Sequence, residues 1–300
     1  MIHAPSRRRW LRWWTAGGLI VVVSVMLRWQ MQPKVLVGRD WPIAERVSLD
    51  RIPHAAWTDL LSRYVDVEGS VDYGGWLRSA DDLRRLNEYL EHLSQANLDL
   101  PASQPERLAF WINAYNAVTV RGILREYPTS SIQNHAARVW GYNIWRDLCL
   151  RVNGHDHSLG QIEHELLRPL NEPRVHFAIV CASRGCPRLL NEAYVAERID
   201  EQLAHNTAAF FADSTKCRFD STKRELQLSP LLHWYAQDFG STATARLKTI
   251  APWLPDEEAR RLALADQLTM TYLDYDWSLN DRATAVPADK PPLPPPESGL

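Results

Sequence analysis

The stretch VCASRGCP, residues 180–187, sets two cysteines five positions apart at the end of an apolar run. Pro187 suits the first position of a short helix, which predicts Cys186 at the N-cap. Free amides and the helix dipole at such a cap favour the thiolate, and a thiolate with a base nearby is a nucleophile. Three other readings use the same residues. The chain has four cysteines, which outside the cytoplasm can pair in three ways, and Cys181–Cys186 and Cys149–Cys217 are the candidate disulfides. A structural zinc site is weaker, because the C-x4-C is not matched by a second close pair. A packed thiol is the fourth reading.

The base is sought among nearby histidines. The apolar run Val175–Cys181, bounded by Pro173 and the loop SRG, predicts a buried strand. On a strand, His176 lies five residues from Cys181, roughly 16 Å from the loop end at 3.3 Å per residue, too far to serve. His164, or His155 and His157 just before its helix, is better placed. On that helix, QIEHELLRPL, 100° steps put Leu159, Ile162, Leu166 and Leu167 on one face with Glu163 among them. A core-facing carboxylate is paired, or desolvation disfavours its charge, so Glu163 reads as a structural ion pair or as a cleft acid that orients His164. HDH at 155–157 beside Glu163 is also a metal reading, although such histidine pairs are commonly solvated loop.

In RLAFWINAYNAVTVRGIL, Asn113 and Asn116 share a face with Val120 and Leu124. Buried amides need partners, often the backbone of a neighbouring loop, so bracing is one role and bordering the cleft another. For Asn113 the second role is that of an oxyanion donor.

The elements that must position these groups follow from periodicity. Residues 53–98 read as helical, interrupted by EGSVDYGG, and 107–124 as a long apolar helix. Ser158 and Gln161 have the spacing of a capping box. AERIDEQLAHNTAAFFAD is an amphipathic helix, KCRFDSTKRELQLS reads as two short strands, and LLHWYAQDFG and DEEARRLALADQLT are helical. The predicted class is α+β, a helix-rich single domain with a small, mostly antiparallel sheet.

Arg7, Arg8, Arg9 and Arg12 precede an uncharged stretch from Trp13 to Leu27, and no small-residue cleavage site follows it. With Trp10 to Arg12 added it reaches eighteen residues, near the lower limit of the roughly 17–25 of a spanning helix. The arginines on the near side orient it with the N-terminus inside. Residues 1–29 are therefore expected to be a signal anchor in the inner membrane, 30–49 a juxtamembrane linker, 50–280 a periplasmic body, and 281–300 a proline-rich extended tail. SRRRWLR also resembles a twin-arginine export signal. A formal net charge of -2 exerts no global pull toward nucleic acid, and no cofactor is expected.

AFWINAYNAV, LGQIEHELLRP, RVHFAIVCASRGCPRL, LLHWYAQDFG and LDYDWSLN together resemble bacterial members of the domain of unknown function 547 family, over about 107–279. Positions matching its signature are Asn113, Asn116, Glu163, His164, Arg168, His176, Cys181, Cys186, Pro187 and Asp238. Plant relatives tend to carry serine where Cys186 stands, which preserves a nucleophile but not a disulfide. The combined expectation is a thiol hydrolase or acyl transferase with Cys186 as nucleophile, His164 as base, Glu163 as orienter and Asn113 as oxyanion donor. Asn116, Arg168, His176, Cys181 and Asp238 would line the binding site. The alternative is a non-catalytic envelope module that binds a peptide or glycan.

Overall fold

The structure, a computed structural model, describes residues 34–137 and 141–283. The expected anchor and residues 284–300 of the expected tail lie outside the described residues. Among the described residues no helix is long and apolar enough to cross a membrane.

The chain is helix-rich α+β, as its periodicity predicts. Helices α1 (Ala55–Tyr64), α2 (Tyr73–Arg78) and α3 (Ala80–Ser94) precede the long α4 (Gln104–Glu126). A short turn, α5 (Ile144–Asp147), leads into a hairpin, and α6 (Leu159–Gln161) begins the segment that carries Glu163. Then follow α7 (Ile199–Ala212), the single turns α8 (Leu231–Trp234) and α9 (Ala236–Phe239), α10 (Ala243–Ile250) and α11 (Glu257–Leu264).

The single, mostly antiparallel sheet is corrected to two small mixed sheets. In the first, β1 (Val35–Val37) runs parallel to β2 (Leu148–Val152), which pairs antiparallel with β3 (His155–Ser158). In the second, β4 (Cys217–Asp220) and β5 (Glu225–Leu228) form the expected hairpin, and β6 (Thr269–Tyr272) joins β5 in parallel. The expected linker is thus partly folded, because β1 satisfies the open edge of β2. The body also runs past residue 280: Asp281 is buried and accepts a hydrogen bond from the Tyr127 hydroxyl at 2.7 Å.

Helix α4 is the axis of the larger core. A full capping box from Ser103 and Glu106 starts it, and from Leu108 to Leu124 nearly every residue is buried. A helix apolar on all sides has to be surrounded, here by α2, α3, β2 and the Glu163 segment. Gly122 allows the closest approach. A Cβ there would come within 2.6 Å of Leu148 Cδ2 and 2.8 Å of Ile144 Cδ1. A second, smaller core gathers Phe177, Phe210, Phe211 and Phe239 with Leu226, Leu228 and Leu247. Gly122→Ala should gain up to about 1 kcal/mol of helix propensity. It should lose about 1–3 kcal/mol to overpacking, so a lower unfolding midpoint in urea is expected.

Candidate functional site

The expected strand 175–181 is absent. Pro173–Phe177 is a 3-10 turn, and the chain continues in irregular conformation through 195. The apolar pattern fits a buried segment, but side-chain amides take the place of a sheet partner. Asn116 Nδ2 donates to the Ala178 carbonyl (2.9 Å) and its Oδ1 accepts the Val180 N–H (3.0 Å). Asn113 does the same for the carbonyl (2.7 Å) and N–H (2.9 Å) of Tyr194. Asn206 of α7 donates to the carbonyls of Phe177 (2.6 Å) and Arg188 (3.1 Å). The expected helix after Cys186 is absent as well, so no N-cap activates the thiol.

What replaces the cap is a turn. Ala182 has φ 58°, Cys186 N–H returns to the Ser183 carbonyl at 3.1 Å, and the Cys181 N–H points at Cys186 Sγ, 2.9 Å away. The strip 276–280 holds this turn: Arg184 N–H donates to Ser278 and Gly185 N–H to Asp276. Gly185 makes this a close approach, since a Cβ would meet Asp276 backbone and the Tyr275 ring at 3.0 Å. The strip thereby lays Tyr275 over the thiols, with its hydroxyl 3.3 Å from Cys181 Sγ and 3.0 Å from Ser183 Oγ.

All four cysteines are free thiols, so neither candidate disulfide is formed. Burial alone would raise the Cys186 thiol. Hydrogen bonds from Cys181, the Tyr275 hydroxyl, the Cys181 N–H and Ser183 outweigh it and lower the thiol to about 7. Cys181 moves the other way, well above the ordinary thiol value, through its hydrogen bond to Cys186 and its burial. Burial pushes Cys149 up to about 11 and Cys217 up to about 12, which makes those two inert.

Both reactive-site cysteines open into a cavity of about 620 Å³ between the two cores. Six aromatic residues, Tyr115, Trp145, Trp234, Tyr235, Tyr275 and Trp277, line it, together with polar Glu163, His164, His176, His233 and Gln237. Glu163 is buried, as its helical phase requires, on a π-helical segment, Ile162–Leu167. Extra-wide turns of this kind recur at functional sites. The Tyr115 hydroxyl donates to Glu163 Oε2 at 3.3 Å, while Oε1 is buried without a partner. The structural ion-pair reading of Glu163 is therefore replaced by a tyrosine contact.

Four signature residues form one network. Arg168 grips Asp238 with Nε (2.6 Å) and Nη2 (2.8 Å), and its Nη1 donates to His164 Nδ1 (3.0 Å). His176 Nε2 donates to Asp238 Oδ2 at 2.7 Å, and its ring stacks on Tyr235 at 4.1 Å. Burial works against the Asp238 charge, but the His176 and Arg168 hydrogen bonds hold its carboxyl far below the usual range. Because guanidinium only donates, His164 Nδ1 carries no proton and a neutral ring keeps its proton on Nε2.

Several expectations are corrected. Among the described residues no histidine nitrogen hydrogen-bonds Cys186; other donors fill that role. Asn113 is no oxyanion donor, because both ends of its amide are committed to Tyr194. Asn116, likewise committed to Ala178 and Val180, does not line the cavity. His176 lies on a 3-10 turn, so the strand distance that argues against it does not apply, and it faces the cavity. Of the other base candidates, His157 packs edge-on against Trp111 in the first sheet and His155 stands at the exposed end of β3. Neither His155 nor His157 lines the cavity. Tyr115, Ser183, Tyr235 and Tyr275 were missed. The motif LDYDWSLN was the one available signal for Tyr275.

Asn116→Ala should cost about 2–4 kcal/mol by leaving two buried backbone groups unpaired. Chemical denaturation would measure that loss.

Residues 101–211 match the family described as protein of unknown function, DUF547, in agreement with the resemblance carried by the motifs. Comparison with curated proteins finds no match, and comparison with solved structures finds none.

Proposed function

We propose that this chain is a thiol-dependent acyl transferase or hydrolase, anchored in the inner membrane with its body in the periplasm. The observation that carries the catalytic reading is Cys186 Sγ. It is a buried sulfur at the wall of an aromatic cavity, with the Cys181 N–H at 2.9 Å and a thiol lowered to about 7. A thiol so lowered is substantially ionised at neutral pH, so it needs no adjacent histidine to remove its proton. The Cys186 thiolate attacks the acyl carbonyl to form a thioester, and the Tyr275 hydroxyl is the donor assigned to the developing oxyanion. His164, whose Nδ1 accepts from Arg168, is assigned to hold the substrate by donating a hydrogen bond from Nε2, and the leaving group takes its proton from solvent. Glu163 Oε1, buried and unpartnered at the cavity wall, is assigned to hold a donor of the substrate.

One observation favours the second reading, a binding module that does no chemistry. Among the described residues no histidine nitrogen bonds the sulfur, and Arg168, Asp238 and His176 are engaged mainly with one another. Iodoacetamide labelling separates the two readings. Cys186 should alkylate with a pH profile that turns over near 7, below the about 8.5 of a free thiol. Tyr275→Phe removes a donor and should shift the profile upward. A profile at the free-thiol value, unmoved by that substitution, favours the binding module.

The anchor rests on the arginine cluster and the uncharged stretch Trp13 to Leu27. Intact-mass measurement on the membrane fraction should find that stretch retained. A chain starting near residue 30 would reject the anchor.

A further inference from the structure

Beyond acyl chemistry, the thiol pair has a second use of its own. The sequence spacing C-x4-C is common, and a lone cysteine would carry nothing. Here two free cysteines line one cavity and contact each other. The Cys181 amide nitrogen lies 2.9 Å from Cys186 Sγ. Adding the covalent reach from that nitrogen to its own Cα, and from the sulfur to its Cα, bounds the Cα separation at about 7 Å, the limit for bridging two cysteines. The turn through Ala182, with its φ of 58°, holds the two residues at this approach in the free-thiol state. We propose that Cys181 and Cys186 are a dithiol–disulfide couple, and that the cavity reduces disulfide substrates by closing a reversible Cys181–Cys186 bond.

The chemistry balances with the substrate disulfide RSSR as the oxidant. Cys186 thiolate attacks one sulfur, forms Cys186–SR and expels RS⁻, which takes up a proton as RSH. Cys181 then gives up its proton, attacks Cys186 Sγ and expels the second thiolate, which is protonated in turn. The protein loses two electrons and two protons, and RSSR becomes two RSH. The division of labour follows from the surroundings of each sulfur. Cys186 receives the donors, including the Cys181 N–H, and is the attacking thiol. Cys181 holds its proton chiefly because of its hydrogen bond to Cys186. That restraint ends when Cys186 is capped as a mixed disulfide, so the second step follows the first. Ser183 Oγ (3.1 Å) and the Tyr275 hydroxyl (3.3 Å) already contact Cys181 Sγ and can support its thiolate. The surrounding aromatic wall suits a disulfide flanked by apolar groups. The oxidised protein has no free Cys186 and cannot form a thioester.

The test uses the reduced full-length chain in detergent, with glutathione disulfide as the probe at neutral pH and peptide mapping by mass spectrometry. The wild-type chain should lose the thiols of Cys181 and Cys186 together, retain no glutathione, and recover both thiols with dithiothreitol. Cys181→Ser should instead keep one glutathione on Cys186, and should still alkylate at Cys186 with iodoacetamide. Accumulation of the glutathione adduct on wild-type Cys186, with no internal bond, would overturn the couple while leaving the acyl-transfer reading intact. Absence of both adduct and alkylation at Cys186 would overturn both. Circular dichroism of Cys181→Ser confirms that the variant is folded.

Discussion

The constraint on which the site depends is the hydrogen bonding of an irregular, buried backbone. Residues 177–195 cross the interior without a sheet or helix, and each buried amide and carbonyl there needs a partner. Asn113 and Asn116 of α4 and Asn206 of α7 supply them. An asparagine side chain offers a donor and an acceptor at the geometry of a peptide group, so Asn113 and Asn116 each act like a fragment of a neighbouring strand, while Asn206 donates to two carbonyls. The long buried helix is therefore more than filling. It is a rigid post from which the cysteine segment is hung.

That segment also lies between the two cores. Val175 packs into the larger one and Phe177 into the smaller, with His176 between them facing the cavity. The cavity exists because the cores meet along a polar seam, where Arg168, Asp238 and His176 satisfy one another. The bidentate grip of Arg168 on Asp238 ties the Glu163 segment to α9, and so fixes the two walls of the cavity.

Around the sulfurs, burial and hydrogen bonding oppose each other. Desolvation penalises a thiolate at either cysteine, and the four inward-facing donors at Cys186 decide that it is the one to ionise. The charge then sits on Cys186, and the hydrogen bond to it, with burial, keeps the Cys181 thiol protonated. Tyr275 completes the arrangement from a strip more than eighty positions downstream, brought in by the close approach at Gly185.

Local pattern alone determined much of this protein. The apolar periodicity of 107–124 marked α4, Ser158 and Gln161 marked the cap of α6, and the polar turn in KCRFDSTKRELQLS marked the β4–β5 hairpin. Glu163 was legible as a buried carboxylate because helical phase is a local property. The tertiary structure decided whatever depended on distant partners. An apolar run reads as a strand until asparagines from two other helices take over its hydrogen bonds, and nothing within 175–181 records them. The same holds for Cys186: its activation was sought in a helix starting at Pro187, whereas a turn, an amide five residues back and Tyr275 provide it. Donors to a thiol act through space within about 4 Å, and chain separation carries no information about that distance.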